Sequence, residues 1–159
     1  MNQPQAFEEH FFVRWSDLDA NRHVRNTLFS EFATHTRFRL LEANGFSQAR
    51  FESLRFGPVM FREEIRYRRE LLFGDQVRVN VLFAGLSEDG SHWRVHQEVT
   101  RADGRQAAAL TIDGAWIHLD TRKLVAPPDE LLQLFQRLPR TGDFELLRSV
   151  LRQAGSAPA

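Results

Sequence analysis

The chain has 159 residues, no cysteine, and 21 basic residues balanced by 21 acidic ones. That length suits one domain that buries about 68–70% of its unfolded surface, so the fold needs no covalent staple. The balanced charge gives no overall field toward nucleic acid or an anionic membrane, and the missing thiols exclude disulfides, thiolate metal sites and a cysteine nucleophile. The opening MNQPQAFEEHFF has no basic lead and no signal-type apolar run, and nowhere do about 18 apolar residues follow one another. The expectation is a soluble cytoplasmic protein with no membrane insertion and no nucleic-acid partner. Every basic residue except Lys123 is arginine, so local arginine patches would carry any anion binding.

Glu9 to Trp15 reads as a short strand, aromatic and branched with no Gly or Pro. From Thr27 to Ala43 the period changes: Leu28, Phe29, Phe32, Ala33, Leu40 and Leu41 recur at helical intervals, and Asn44-Gly45 supplies a stop. Four strands follow, Met60 to Arg69, Gln76 to Leu86, Ser91 to Arg101 and Gln106 to Leu119, divided by Gly74-Asp75, Glu88-Asp89-Gly90 and Asp103-Gly104. Their tight turns predict an antiparallel meander. Beyond Pro127-Pro128 a short helix is expected over Asp129 to Arg137, a second over Asp143 to Gln153, and frayed ends at 1–6 and 154–159. The order gives an α+β domain, 1–159, with one sheet packed on one long helix. In HWRVHQEV, Trp93, Val95 and Val99 alternate with His92, Arg94, His96 and Glu98, so one sheet face is apolar and the other charged.

The segment WSDLDANRHVRN sets Asp17, Asp19, His23 and Asn26 within ten residues, between a strand end and a helix start. A solvated turn uses the same residue types, because Asp and Asn suit turns and helix caps. The location favours chemistry. Backbone N–H groups are unpaired at a helix N-terminus, and they can stabilise a carbonyl oxygen that becomes negative during acyl transfer. A carboxylate beside them can attack the carbonyl carbon or deprotonate a water that does so.

The pattern Asp17-x-Asp19-x-x-x-His23-Val24-x-Asn26-x-x-Phe29, leading into a long helix, resembles the 4-hydroxybenzoyl-CoA thioesterase-like branch of the hotdog-fold superfamily. The closing WIHLDTRKLVAPPDEL is similar to that family's last strand, turn and proline-led helix. The resemblance implies a hotdog fold: a long central helix wrapped by a five- or six-stranded antiparallel sheet, with short C-terminal helices. It implies Asp19 as nucleophile or general base in thioester hydrolysis, Asp17 as organiser of the loop, Asn26 as the residue whose N–H polarises the thioester carbonyl, and His23 as a brace. It also implies a homodimer or homotetramer with the pocket between subunits. No resident cofactor is implied, CoA entering as part of the substrate.

The chain departs from the family's frequent G-H-V-N-N-x-x-Y at Arg22, Arg25 and Phe29. Arg22 stands where a glycine would take a backbone conformation costly for arginine. Arg25 brings a cation beside the carboxylates, either to favour their ionised form or to capture a phosphate. The reading assigns Arg25 to phosphate and Arg22 to an ion pair. In FREEIRYRRE, Arg62, Glu64, Arg66 and Arg68 fall on one strand face, a solvated face or an anchor for the CoA nucleotide through Arg66 and Arg68. His92 and His96 have neither thiolate nor H-E-x-x-H context, so no metal is expected. GLSEDG reads as a turn rather than a serine-nucleophile elbow. Phe46, Phe51, Phe56 and Phe61 read as core or pocket wall.

Three functions remain: acyl-CoA thioesterase, non-hydrolytic acyl-thioester binding or sensing protein, and acyl-carrier dehydratase. The dehydratase fits least, since Asp19 and His23 share one loop.

Overall fold

In the computed structural model, residues 5–151 are described. Chain order is β1 (Phe7–Phe12), α1 (Asn26–Ala43), α2 (Gln48–Leu54), β2 (Phe56–Tyr67), β3 (Gln76–Ser87), β4 (His92–Arg101), β5 (Gln106–His118), β6 (Leu124–Val125), α3 (Asp129–Arg137) and β7 (Arg140–Leu147). Among the described residues no helix is long and apolar enough to cross a membrane.

α1 forms because Leu28, Phe29, Phe32, Ala33, Thr36, Leu40 and Leu41 bury one face at helical spacing. The Thr36 hydroxyl satisfies itself by donating to the Phe32 carbonyl at 2.8 Å. The helix ends where Asn44 Nδ2 donates to the Leu40 carbonyl at 2.8 Å and Gly45 takes a φ of 89°. The short helix α2 has no counterpart in the sequence reading. Ser47 caps it by accepting from the Arg50 N–H, and it buries Phe51 against Phe56, ring centroids 5.0 Å apart.

The sheet runs β1-β3-β4-β5-β2, with β6 beside β5 and β7 beside β3. It is therefore not a meander over the four long strands. β3, β4 and β5 are consecutive neighbours, but β2 crosses to the far edge and pairs with β5. Tight turns identify hairpins, and no tight turn joins β2 to β3: residues 68 to 75 intervene. A bulge at Phe61 interrupts the β2–β5 register and leaves that side chain exposed, whereas Phe46, Phe51 and Phe56 are buried.

The second C-terminal helix expected over Asp143 to Gln153 is instead β7, parallel to β3. β1 covers β3 only as far as Val81, and β7 takes the same edge from Phe83 to Ser87. An unpaired backbone edge outweighed a weak helical pattern. Of the tails expected at 1–6 and 154–159, all but Gln5 and Ala6 lie outside the described residues.

Between α1 and the sheet lies the core. β4 buries alternate residues Trp93, Val95, Gln97 and Val99 toward the helix. Gln97 is fully buried and donates to the Ala33 and Asn80 carbonyls at 3.1 and 3.2 Å. Trp93 lies on Gly114, where a Cβ would meet the indole at 2.2 Å, so only glycine fits. On the opposite face Arg62, Glu64 and Arg66 form ion pairs, and Arg94 bridges Asp113 and Glu145.

Candidate active site

The loop before α1 is built on Asp17. Its buried carboxylate accepts from the Arg14 N–H at 2.8 Å, from Arg14 Nε at 3.2 Å and from Arg14 Nη2 at 2.9 Å. Burial pushes this carboxyl up, but the Arg14 hydrogen bonds, with the charges of Arg14 and Arg25, outweigh it and hold the pKa below the ordinary value. The Asp17 carbonyl accepts the Arg25 N–H at 3.0 Å, and Val24 N–H donates to the Leu71 carbonyl at 2.8 Å. The turn is thereby fixed at both ends.

Asp19 sits at its tip. Its N–H donates to the His23 carbonyl at 2.9 Å, its Oδ1 accepts the Asn21 N–H at 2.8 Å, and its Oδ2 lies 3.4 Å from His23 Nδ1. Both side chains are 31% exposed, so the pair is held yet reachable. Arg22 closes the turn with φ 66°, the left-handed backbone that the sequence anticipated for a position usually held by glycine.

Asn26 is the first residue of α1. Leu28 N–H is taken by the Arg25 carbonyl at 3.1 Å, while the N–H groups of Asn26 and Thr27 have no partner among the described residues. Asp19, His23 and Asn26 line one cleft of about 370 Å³, together with Phe29, Tyr67, Arg68 and Arg69. Asp19 and Asn26, the first residue of the helix, thus line the same space, which brings together the two residue types that acyl transfer requires.

Of the proposed arginines, only Arg68 lines this cleft. The strand ends at Tyr67, and the N–H groups of Arg68 and Arg69 both donate to the Ala107 carbonyl, which breaks the alternation that had grouped Arg68 with Arg66. Arg66 stays on the outer sheet face and pairs with Glu64 at 3.0 Å. Arg25 forks onto Glu31 at 3.1 and 3.2 Å and donates to the Ser16 carbonyl at 3.3 Å. Arg22 has no side-chain partner among the described residues. The ion pair expected of Arg22 therefore belongs to Arg25.

The sequence reading gave no role to Tyr67, the chain's one tyrosine. Its hydroxyl donates to the Asn26 carbonyl at 3.3 Å and its ring meets Phe29 edge-on at 5.3 Å. It bridges the helix start to β2, and only the β2–β5 register could have revealed this. His92 and His96, set aside as metal ligands, lie beside Asp113 and Glu98 at 3.4 and 3.6 Å.

The model of a thioesterase-like superfamily matches residues 13–135. The chain belongs to the thioesterase-like superfamily. Solved structures resemble it in fold. A hypothetical protein from Staphylococcus aureus, solved in complex with CoA, superposes with a TM-score of 0.76 at 20% identity, covering 98% of this chain and 95% of that one. A 1,4-dihydroxy-2-naphthoyl-CoA thioesterase from Synechocystis gives 0.75 at 18% identity, over 84% and 98%. A DHNA-CoA thioesterase from Staphylococcus aureus gives 0.72 at 15% identity, over 82% and 86%. Comparison with curated proteins by sequence finds no match. Identities this low carry the fold of the superfamily, and the chemistry must be argued from the cleft.

Proposed function

We propose that the protein is an acyl-CoA thioesterase with the hotdog arrangement, hydrolysing a thioester to a free acid and CoA in the cytoplasm. The observation that carries this reading is the shared cleft: Asp19 and Asn26, whose N–H has no partner among the described residues, line the same space. With the thioester oxygen against that N–H, negative charge developing on it is stabilised. Asp19 either takes a proton from a water that attacks the carbonyl carbon or attacks it directly. The C–S bond then breaks and the CoA sulfur leaves as thiolate to be protonated; on the direct route this leaves an acyl-Asp19 anhydride, which a water opens to the free acid and the Asp19 carboxylate. His23 braces Asp19, Asp17 holds the loop, and Tyr67 holds the helix start. No resident cofactor takes part. Contact of Arg68 with the nucleotide phosphates of CoA is supported by its place in the cleft lining, and contact of Arg22 by a guanidinium without a partner among the described residues, while Arg66 lies on the outer face of its own subunit. A second subunit would complete the cleft from the free edge of β2.

Thiol release over a panel of acyl-CoAs tests the reading. Asp19→Asn should keep the fold and bind substrate while losing turnover by about 10²-fold or more, the scale of a lost general base. Equal activity of the two proteins would remove Asp19 from the mechanism. Binding without release by the wild type would select a non-hydrolytic acyl-thioester binding protein. In a single turnover in ¹⁸O-water, label found in Asp19 identifies the nucleophilic role, because only an acyl-Asp19 anhydride opened at the aspartyl carbon puts water oxygen there.

A further inference from the structure

Beyond the cleft, between the C-terminal half of α1 and the sheet, lies a cavity of about 240 Å³ walled by Phe83, Trp93, Trp116 and Phe135. Two hydrogen-bond donors interrupt this aromatic wall. Arg37 enters from α1, donating to Gln97 Oε1 at 2.6 Å and Thr34 Oγ1 at 3.0 Å, with Met60 Sδ at 3.4 Å. No carboxylate lies within 4 Å of it among the described residues. The amide of Gln97 is already spent on two carbonyls, so its neutral oxygen is all it offers the guanidinium. Burial draws Arg37 down to about 10, opposed by the charge of Glu63 acting from a distance. The second donor is Trp93, whose buried indole N–H has no partner.

A cation and an orphaned N–H in an apolar chamber call for an occupant that brings oxygen atoms and negative charge. The cavity is also connected to the chemistry. An open groove of about 700 Å³ along α1 shares Asn26 and Tyr67 with the cleft, and Thr34 and Phe38 with the cavity. Along the helix, Asn26 to Arg37 spans about 16 Å at about 1.5 Å per residue. A single aromatic acyl ring at Asn26 falls well short of Arg37, whereas a flexible chain reaches it. Glu63 lines the groove rather than the cavity, and its charge only partly opposes the effect of burial on Arg37.

We infer that the acyl group is a flexible chain whose far end carries a carboxylate, seated against Arg37 and Trp93, so that the substrates are CoA monothioesters of dicarboxylic acids. The thioester end rests on the proposed function; the carboxylate end rests on the cavity alone. Calorimetry with the monomethyl ester of tetradecanedioic acid, which offers one carboxylate, against its dimethyl ester, which offers none, therefore tests the cavity without catalysis. The half-ester should bind about tenfold tighter or more, the range of a charge-assisted hydrogen bond. Arg37→Gln should erase that preference. Trp93→Phe removes the N–H together with part of the ring; the lost wall weakens both esters alike, so a smaller preference with Arg37 in place reads the N–H. Equal binding of the two esters by the wild type, or a preference that survives Arg37→Gln in a folded protein, overturns the inference. Thiol release from the CoA monothioester of tetradecanedioic acid and from tetradecanoyl-CoA separates the claims. Half-ester binding without release removes hydrolysis and leaves the carboxylate site. Release that favours the methyl-ended chain removes the carboxylate site and leaves hydrolysis.

Discussion

Arg22 occupies a left-handed backbone that costs an L side chain about 1–2 kcal/mol, and its guanidinium gains no partner among the described residues in return. Arg22→Gly should therefore hold or raise stability, by up to about 1 kcal/mol, because the freer unfolded chain returns part of the gain. A thermal melt reads this, and a clear loss of stability would mean that the side chain makes a contact that holds the loop. The same variant separates two uses of the charge. If Arg22 meets the nucleotide phosphates, acyl-CoA binding weakens while a short pantetheine thioester is indifferent. Arg25→Ala should affect both substrates alike, since its guanidinium serves Glu31 and the loop around Asp17. At this scale the grouping of Asp19, His23 and Asn26 on one cleft was legible because they are local in sequence, packed within one turn and the helix start. Tyr67, Arg69 and Arg37 were not, because sheet register and helix packing bring them to the site from more distant sequence.

One carboxylate joins the β3–β4 turn to the C-terminal segment. Asp89 Oδ1 accepts from the Ser87 and Ser91 hydroxyls at 2.7 Å each and from the Ser91 N–H at 3.0 Å, while its Oδ2 accepts from the Ser149 hydroxyl at 2.5 Å. Burial raises this carboxyl, but those hydrogen bonds outweigh it and lower the pKa to about 2 from 3.8. A carboxyl whose folded pKa is depressed stabilises the fold above its unfolded value, and the contribution fades as the pH falls from about 4 to about 2. Its size is on the order of 2 kcal/mol at most, less after solvent screening of this half-buried group. Urea melts of wild type and Asp89→Asn should differ at pH 7 and converge near pH 2; a gap that persists in acid would assign the stability to shape rather than charge. This latch follows directly on β7, the element that sequence reading took for a helix. Phe144, Leu146 and Leu147 fit either period, and what decides between them is the length of β3 edge that β1 leaves bare, a property of the sheet and invisible in the segment itself. α1, by contrast, carries its own period and its own stop, so it was legible to within a residue.

Among the described residues β2 is a sheet edge with no strand beyond it, as β1 and β7 are at the other end of the sheet. β2 pairs with β5 on one side, and its other side offers a twelve-residue edge of backbone N–H and C=O groups, about 40 Å long at about 3.3 Å per residue. Beside that edge Met60, Phe61 and Tyr67 are half exposed, and so is Phe38 on α1 across the groove. A long apolar-flanked edge is an invitation to pair. The outer sheet face offers no comparable surface, since Arg62, Glu64, Arg66, His96 and Glu98 place charge on it and satisfy much of that charge among themselves. The geometry therefore favours an isologous dimer in which two β2 strands pair antiparallel about a twofold axis, continuing one sheet across both subunits and roofing each groove with the neighbouring chain. Light scattering at micromolar concentration should give twice the 18.5 kDa chain mass or a multiple of it. Val59→Pro, placed on β2 beside the Phe61 bulge, should shift the protein toward monomer and lower turnover with it, because the open groove loses its cover. Activity that tracks the dimer fraction as the protein is diluted would tie the cleft to the assembly. A stable monomer with undiminished turnover would detach the site from any second subunit, and would return the exposed β2 edge to the list of surfaces that the charged ends of its own strand must protect.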